Sequence, residues 1–157
     1  MKPFSSVFCG AFLILSVKLG FAQGNQPVYW HFQWDLATNH EAILNLTANV
    51  APGWHLYSQF LEQGGPMPTR LSFDRSDDYV LIGRTEEIGN PMKFRDDTYE
   101  MEIILYAAEV SFIQKIRLIQ PVARVNGIVE YIACNDHTCV PHKQYFSMLI
   151  SPMKKSP

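Results

Sequence analysis

Leu44-Asn45-Leu46-Thr47-Ala48-Asn49-Val50 alternates apolar and polar side chains without a break. Successive side chains of an extended strand point to opposite faces. Period two therefore puts Leu44, Leu46, Ala48 and Val50 on one buried face and Asn45, Thr47 and Asn49 on the wet one. A helix would scatter the same four apolar residues around its girth. The rhythm returns upstream, where Trp30, Phe32 and Trp34 share a face opposite Tyr29, His31 and Gln33, and downstream, where Met101, Ile103, Leu105 and Ala107 alternate with Glu100, Glu102 and partly apolar neighbours. Further strands are expected over Thr69–Asp74, Tyr79–Gly83, Ser111–Ile119, Ala123–Ala133 and Gln144–Ile150. Pro52-Gly53, Gly64-Gly65-Pro66, Gly89-Asn90-Pro91 and Asn126-Gly127 read as turns or bulges at irregular intervals. No window carries a helical stripe longer than two turns. Seven to nine short strands predict an all-β domain, an antiparallel β-sandwich of immunoglobulin-like type.

Residues 1–22 read as an address rather than as part of that domain. Lys2 supplies a positive start, Val7 to Val17 form an apolar run, and Gly20 and Ala22 set small side chains before a cut ahead of Gln23. That is the pattern of a secretory signal peptide. The run falls well short of the roughly 20 residues that span a bilayer, and Cys9 after Phe8 does not suit a lipoprotein anchor. The mature chain is expected to be residues 23–157, one periplasmic or otherwise exported domain with no membrane insertion. Without Lys2 and Lys18, 11 basic side chains face 15 acidic ones, a net charge of about −4. The charges are dispersed with no basic stripe, which argues against nucleic acid.

Outside the leader the cysteines are Cys134 and Cys139, in Tyr-Ile-Ala-Cys134-Asn-Asp-His-Thr-Cys139-Val-Pro, at what reads as the tip between two strands. Disulfides persist outside the cytosol, so the pair can exist oxidised. Three readings stand. A structural clip would tie down little else, because a six-residue loop yields about 2 kcal/mol against about 4.7 for 100 residues. A redox pair needs a sulfur that an incoming thiolate can reach in line, and an exposed tip provides that access. His137, if protonated, favours thiolate while Asp136 opposes it. The third reading is metal: Cys134, His137, Cys139 and His142 are suitable donor types. Yet the donors crowd into nine residues of an extended segment, where adjacent side chains point in opposite directions, and the C-x-x-C knuckle is missing.

The mature chain resembles the N-terminal domain of the thiol:disulfide interchange protein DsbD. The landmarks are Gly53-Trp54-His55-Leu56-Tyr57-Ser58-Gln59, Gly64-Gly65-Pro66-Met67-Pro68-Thr69, and Val125-Asn126-Gly127-Ile128-Val129-Glu130-Tyr131 leading into Cys134-Asn-Asp-His-Thr-Cys139-Val-Pro141. The resemblance implies an immunoglobulin-like sandwich that relays electrons through Cys134 and Cys139 without a cofactor or metal. Electrons would come from a thiol donor and pass by mixed disulfides to oxidised thioredoxin-fold exported proteins, in cytochrome c assembly or disulfide isomerisation. By analogy, Cys139 forms the intermolecular bond and Cys134 resolves it. The resemblance further implies a cap loop over the sulfurs, expected at Glu86-Glu87-Ile88-Gly89-Asn90 with Ile88 as the shield and Glu87 beside it. Tyr57 and Tyr131 would wall the site, with His55 lining it. The 157 residues hold neither the membrane-embedded reductase portion nor the C-terminal thioredoxin-like domain of full DsbD. A separate donor, such as a membrane reductase or thioredoxin-like protein, is therefore expected. The alternative is a non-catalytic protein-binding sandwich whose bridge is inert.

Other polar and aromatic signals have plainer readings. Trp30, Trp34 and Trp54 suit packing, since aromatics dominate sandwich interiors. His31 alternates outward. Asn45-Leu46-Thr47 is a formal glycosylation sequon read here as strand-face decoration. The adjacent acids Glu86-Glu87 and Asp96-Asp97 could do acid–base work, but in loops they are expected to be solvated.

Overall fold

The structure, a computed structural model, describes residues 26–151. The leader expected over residues 1–22 lies outside them. Ten strands follow in order: β1 (Val28–Thr38), β2 (Glu41–Val50), β3 (His55–Tyr57), β4 (Arg70–Phe73), β5 (Tyr79–Gly89), β6 (Met92–Asp96), β7 (Met101–Tyr106), β8 (Glu109–Leu118), β9 (Ala123–Cys134) and β10 (Cys139–Ile150). One sheet runs β1-β2-β8-β5 and the other β10-β9-β3-β7-β6, with β4 continuing the line of β3 along β9. Every pairing is antiparallel. This is the immunoglobulin-like sandwich that the alternation predicts.

The core lies where the two inner faces meet. Leu44, Leu46, Ala48, Val110, Phe112 and Ile116 come from the first sheet, and Leu56, Val125, Val129, Tyr131, Phe146 and Met148 from the second. Period two works as expected: β2 reads half-buried, buried, half-buried along its length. β1 is an edge strand whose aromatic face closes one side. Trp30 stands 5.7 Å from Phe112 and 5.5 Å from Tyr131, while Phe32 stands 5.3 Å from Phe146. His31 faces out, as expected.

Two polar or small residues inside the sheets have specific causes. β5 runs beyond Gly83 to Gly89 because a bulge between Ile82 and Glu86 lets the strand continue after a register shift. Gly83, at φ 69°, takes the left-handed backbone there. Buried Gln114 fills the irregularity. Its Nε2 donates to the Ile82 and Lys115 carbonyls, and its Oε1 accepts from the Thr85 hydroxyl. Asn126-Gly127, expected as a turn or bulge, is instead mid-strand in β9. A methyl at Gly127 would collide with the Ser72 carbonyl oxygen and the Phe146 ring. The glycine is there for close approach of β4, not for a bend.

Candidate functional site

β9 and β10 form a long hairpin whose register runs without slip from Ala123↔Ile150 to Cys134↔Cys139. That last pair is a disulfide, with the Cα atoms 4.0 Å apart. The tip beyond it is held by Asn135. Its Oδ1 accepts from the His137 and Thr138 amides, each at 2.9 Å, and its own N–H donates to the Thr138 carbonyl. Asp136 and His137 are exposed on this tip. The two cysteines are not equivalent: Cys134 is 1% exposed and Cys139 is open to solvent.

β3 supplies the wall on the buried side. Its register sets His55 opposite Cys134 and Leu56 opposite Ala133. Leu56 and Ala133 are buried in the core, so alternation turns His55 and Cys134 to the outer face together with Tyr57. Tyr57 meets His55 edge to face at 5.3 Å. Burial pushes His55 below its ordinary pKa, and the Asp136 carboxylate partly opposes this. Burial raises the Tyr57 hydroxyl, helped by Tyr99 and Asp96. The β6–β7 hairpin tip thus comes within electrostatic reach of Tyr57.

Three expectations are corrected. Glu86–Gly89 is not a loop; it is the second half of β5, paired with β8 in the sheet that lacks the cysteines. Ile88 is paired with Ser111 and 60% exposed. Glu87 is not a solvated acid either. It accepts from the Ser58 hydroxyl (2.7 Å), the Gln59 amide (2.7 Å) and the Tyr106 hydroxyl (2.9 Å). Burial first, and then Glu87, raises the Tyr106 hydroxyl far above its usual range. Glu87 therefore ties β5 to the segment leaving β3, just past the cysteine wall. Finally, Tyr131 does not line the outer face: it is 1% exposed and lies in the core between Trp30 and His142.

The four suggested metal donors do not converge. The sulfurs are bonded to each other, and His142 stacks on Tyr131 at 5.2 Å with its Nε2 buried and without a hydrogen-bond partner. Among the described residues no group of three or more His, Cys, Asp or Glu side chains could hold a metal ion. Asp96 is structural: its Oδ1 accepts from the Thr98 and Tyr99 amides. What sequence reasoning missed is the Glu87 clamp and the approach of the β6–β7 tip. Neither has a local signal, because both join residues far apart in the chain.

A buried and an exposed cysteine bonded at a hairpin tip, walled by His55 and Tyr57, is a geometry suited to thiol–disulfide exchange. Residues 24–150 match the family model described as thiol:disulfide interchange protein DsbD, N-terminal. The chain belongs to this family. The DsbD N-terminal family is involved in thiol–disulfide interchange, and a cysteine pair at disulfide distance is present here. Among solved structures, the N-terminal periplasmic domain of ScsB from Proteus mirabilis is similar at 17% identity and TM-score 0.56, with 79% of this chain and 47% of that one covered. The chain thus spans about half of that structure's length. A structure of the complex between the DsbD N-terminal and PilB N-terminal domains from Neisseria meningitidis is similar at 10% identity and TM-score 0.51, covering 86% of this chain and 95% of that one. At these identities the likeness shows the sandwich fold. None of the curated proteins matches the chain. No helix among the described residues is long and apolar enough to cross a membrane.

Proposed function

We propose that this chain is an exported, periplasmic thiol–disulfide relay that passes electrons through Cys134 and Cys139 to oxidised thioredoxin-fold proteins. The observation that carries the reading is the asymmetry of the bonded pair: exposed Cys139 against Cys134 at 1% exposure. An incoming thiolate must approach one sulfur along the S–S axis, expelling the other. Access favours Cys139 as the sulfur attacked and Cys134 as the leaving group.

In uptake, a thiolate of a separate donor, such as a membrane reductase or thioredoxin-like protein, attacks Cys139 Sγ. The Cys134–Cys139 bond breaks and Cys134 leaves as thiolate. The donor's second thiolate then attacks the donor sulfur of the mixed disulfide, which releases Cys139 and leaves the donor oxidised. In delivery, the Cys139 thiolate attacks the acceptor's disulfide and expels one acceptor thiolate. Cys134 next attacks Cys139 Sγ, the internal bond re-forms, and the acceptor's second thiolate departs. Two electrons move with each exchange of a sulfur–sulfur bond, so no cofactor is required.

The test is incubation of the oxidised protein with a fully reduced thioredoxin-like protein. The bond should open within minutes, and Cys134→Ser should accumulate a mixed disulfide through Cys139. A potential well below about −300 mV, the range of structural bridges that thiol pools scarcely reduce, together with no trapped adduct, would overturn the relay. It would leave a protein-binding sandwich with an inert clip.

A further inference from the structure

His55 stands directly across from Cys134 in the β3–β9 register. Opposed residues on antiparallel strands share a face, with Cβ atoms about 4.5–5.5 Å apart; from there an imidazole can reach a neighbouring sulfur. Cys134 is 1% exposed, so water is a poor proton donor or acceptor for it. The ring is braced edge to face by Tyr57. The titratable groups that face His55 are Cys134 from β9, Asp136 from the tip and Tyr57 from its own strand. On β7, Tyr106 turns its hydroxyl to Glu87 instead.

We propose that His55 is the proton acceptor and donor for Cys134, an assignment that rests on the relay reading above. In delivery, with Cys139 in a mixed disulfide, the Cys134 thiol gives its proton to the neutral imidazole. The resulting thiolate attacks Cys139 Sγ, the internal S–S bond forms, and the bond from Cys139 to the partner breaks. The partner sulfur leaves as thiolate with the electron pair and takes up the proton from the imidazolium. In uptake the same imidazole, protonated by solvent at its open edge, faces the departing Cys134 thiolate. Asp136 adds a negative charge that favours the imidazolium. Burial of the ring favours the neutral form in the oxidised protein, leaving it ready to accept.

The test reads ionisation of Cys134 directly. In the Cys139→Ser background, which isolates Cys134, ultraviolet thiolate absorbance is followed against pH with and without His55→Gln. A neighbouring opposite charge shifts a pKa by about one unit or more, so His55→Gln should lower the thiolate fraction by up to about tenfold on the acid side of the curve, where the ring carries its proton, with the two curves meeting at high pH. Superimposable curves would overturn the assignment. A second measurement uses the unaltered protein. The His55 imidazole proton signals should titrate once when the disulfide is intact and gain a second step, at the Cys134 ionisation, when it is reduced. Identical titrations in the two states would likewise overturn it. Both readouts are independent of any partner, so failure of the relay would appear as a bond that donors cannot open, with the His55–Cys134 coupling still measurable.

Discussion

The tips of the β6–β7 and β9–β10 hairpins are built with one device and finished differently. At each, a side-chain oxygen just before the turn accepts two successive amides: Asp96 from Thr98 and Tyr99, Asn135 from His137 and Thr138. The β6–β7 tip has this brace and a short register, with an exposed Lys93–Glu102 ion pair behind it. The β9–β10 tip has the same brace, the longer register behind it, and a covalent bond besides. A disulfide is therefore not what a tight four-residue tip in this fold requires. The hairpin with more non-covalent support is the one that carries the bond, which weighs toward exchange and against a clip.

The comparison breaks first if the hairpin body does not hold its own tip. Phe146 in β10 packs on Phe32 and Phe73 and is 5% exposed. Phe146→Ala should cost about 3–5 kcal/mol in urea unfolding, more than loss of the bond itself. Reduction of the bond, or the Cys134→Ser/Cys139→Ser pair, should cost about 2 kcal/mol or less. A loss matching that of Phe146→Ala would mean that the bond does hold the tip together.

A finer contrast concerns the two braces. Asp96→Ala and Asn135→Ala each remove an acceptor for two amides and should cost about 0.5–1.5 kcal/mol. The cost of Asn135→Ala should grow when the bond is reduced, since the bond then no longer backs up the turn. Asp96→Ala should be indifferent to redox state, and equal redox sensitivity at both tips would erase the distinction.

The smallest expected effect is on pH. His55 is held below its unfolded value, so between the folded and unfolded pKa values the folded chain binds fewer protons and stability rises with pH. His55 therefore contributes a loss of stability as pH falls below about 6.5, the ordinary histidine value. Thermal midpoints between pH 7 and 5 should fall less in His55→Gln than in the parent protein. An equal fall in both would show that the ring is not desolvated by its place beside Cys134.

Much of this molecule was legible as a sequence wherever the signal was local. Alternation found the long strands, and the spacing of Cys134 and Cys139 found a hairpin tip. β3 and β6 were not found, because three residues are too short to display a period and β6 is exposed along nearly its whole length, with no buried face to mark. β5 was cut at Gly83, since the bulge that carries it to Gly89 is closed by Gln114 from another strand. Tyr131 was placed on the wrong face of β9. Its identity suits either side, and its place on the strand, in step with Val125, Val129 and Ala133 and out of step with Glu130, sets it in the core.

The sequence by itself determined the sandwich and its pair of sulfurs, because period two and the proximity of two cysteines are properties of a few consecutive residues. The tertiary structure alone decided that Cys139 meets solvent while Cys134 does not, that His55 stands across from Cys134, and that Glu87 serves as a clamp rather than a cap. Those arrangements depend on strand register between segments remote in the chain. A one-residue slip there would turn every side chain to the opposite face, and no local pattern at either segment specifies its partner.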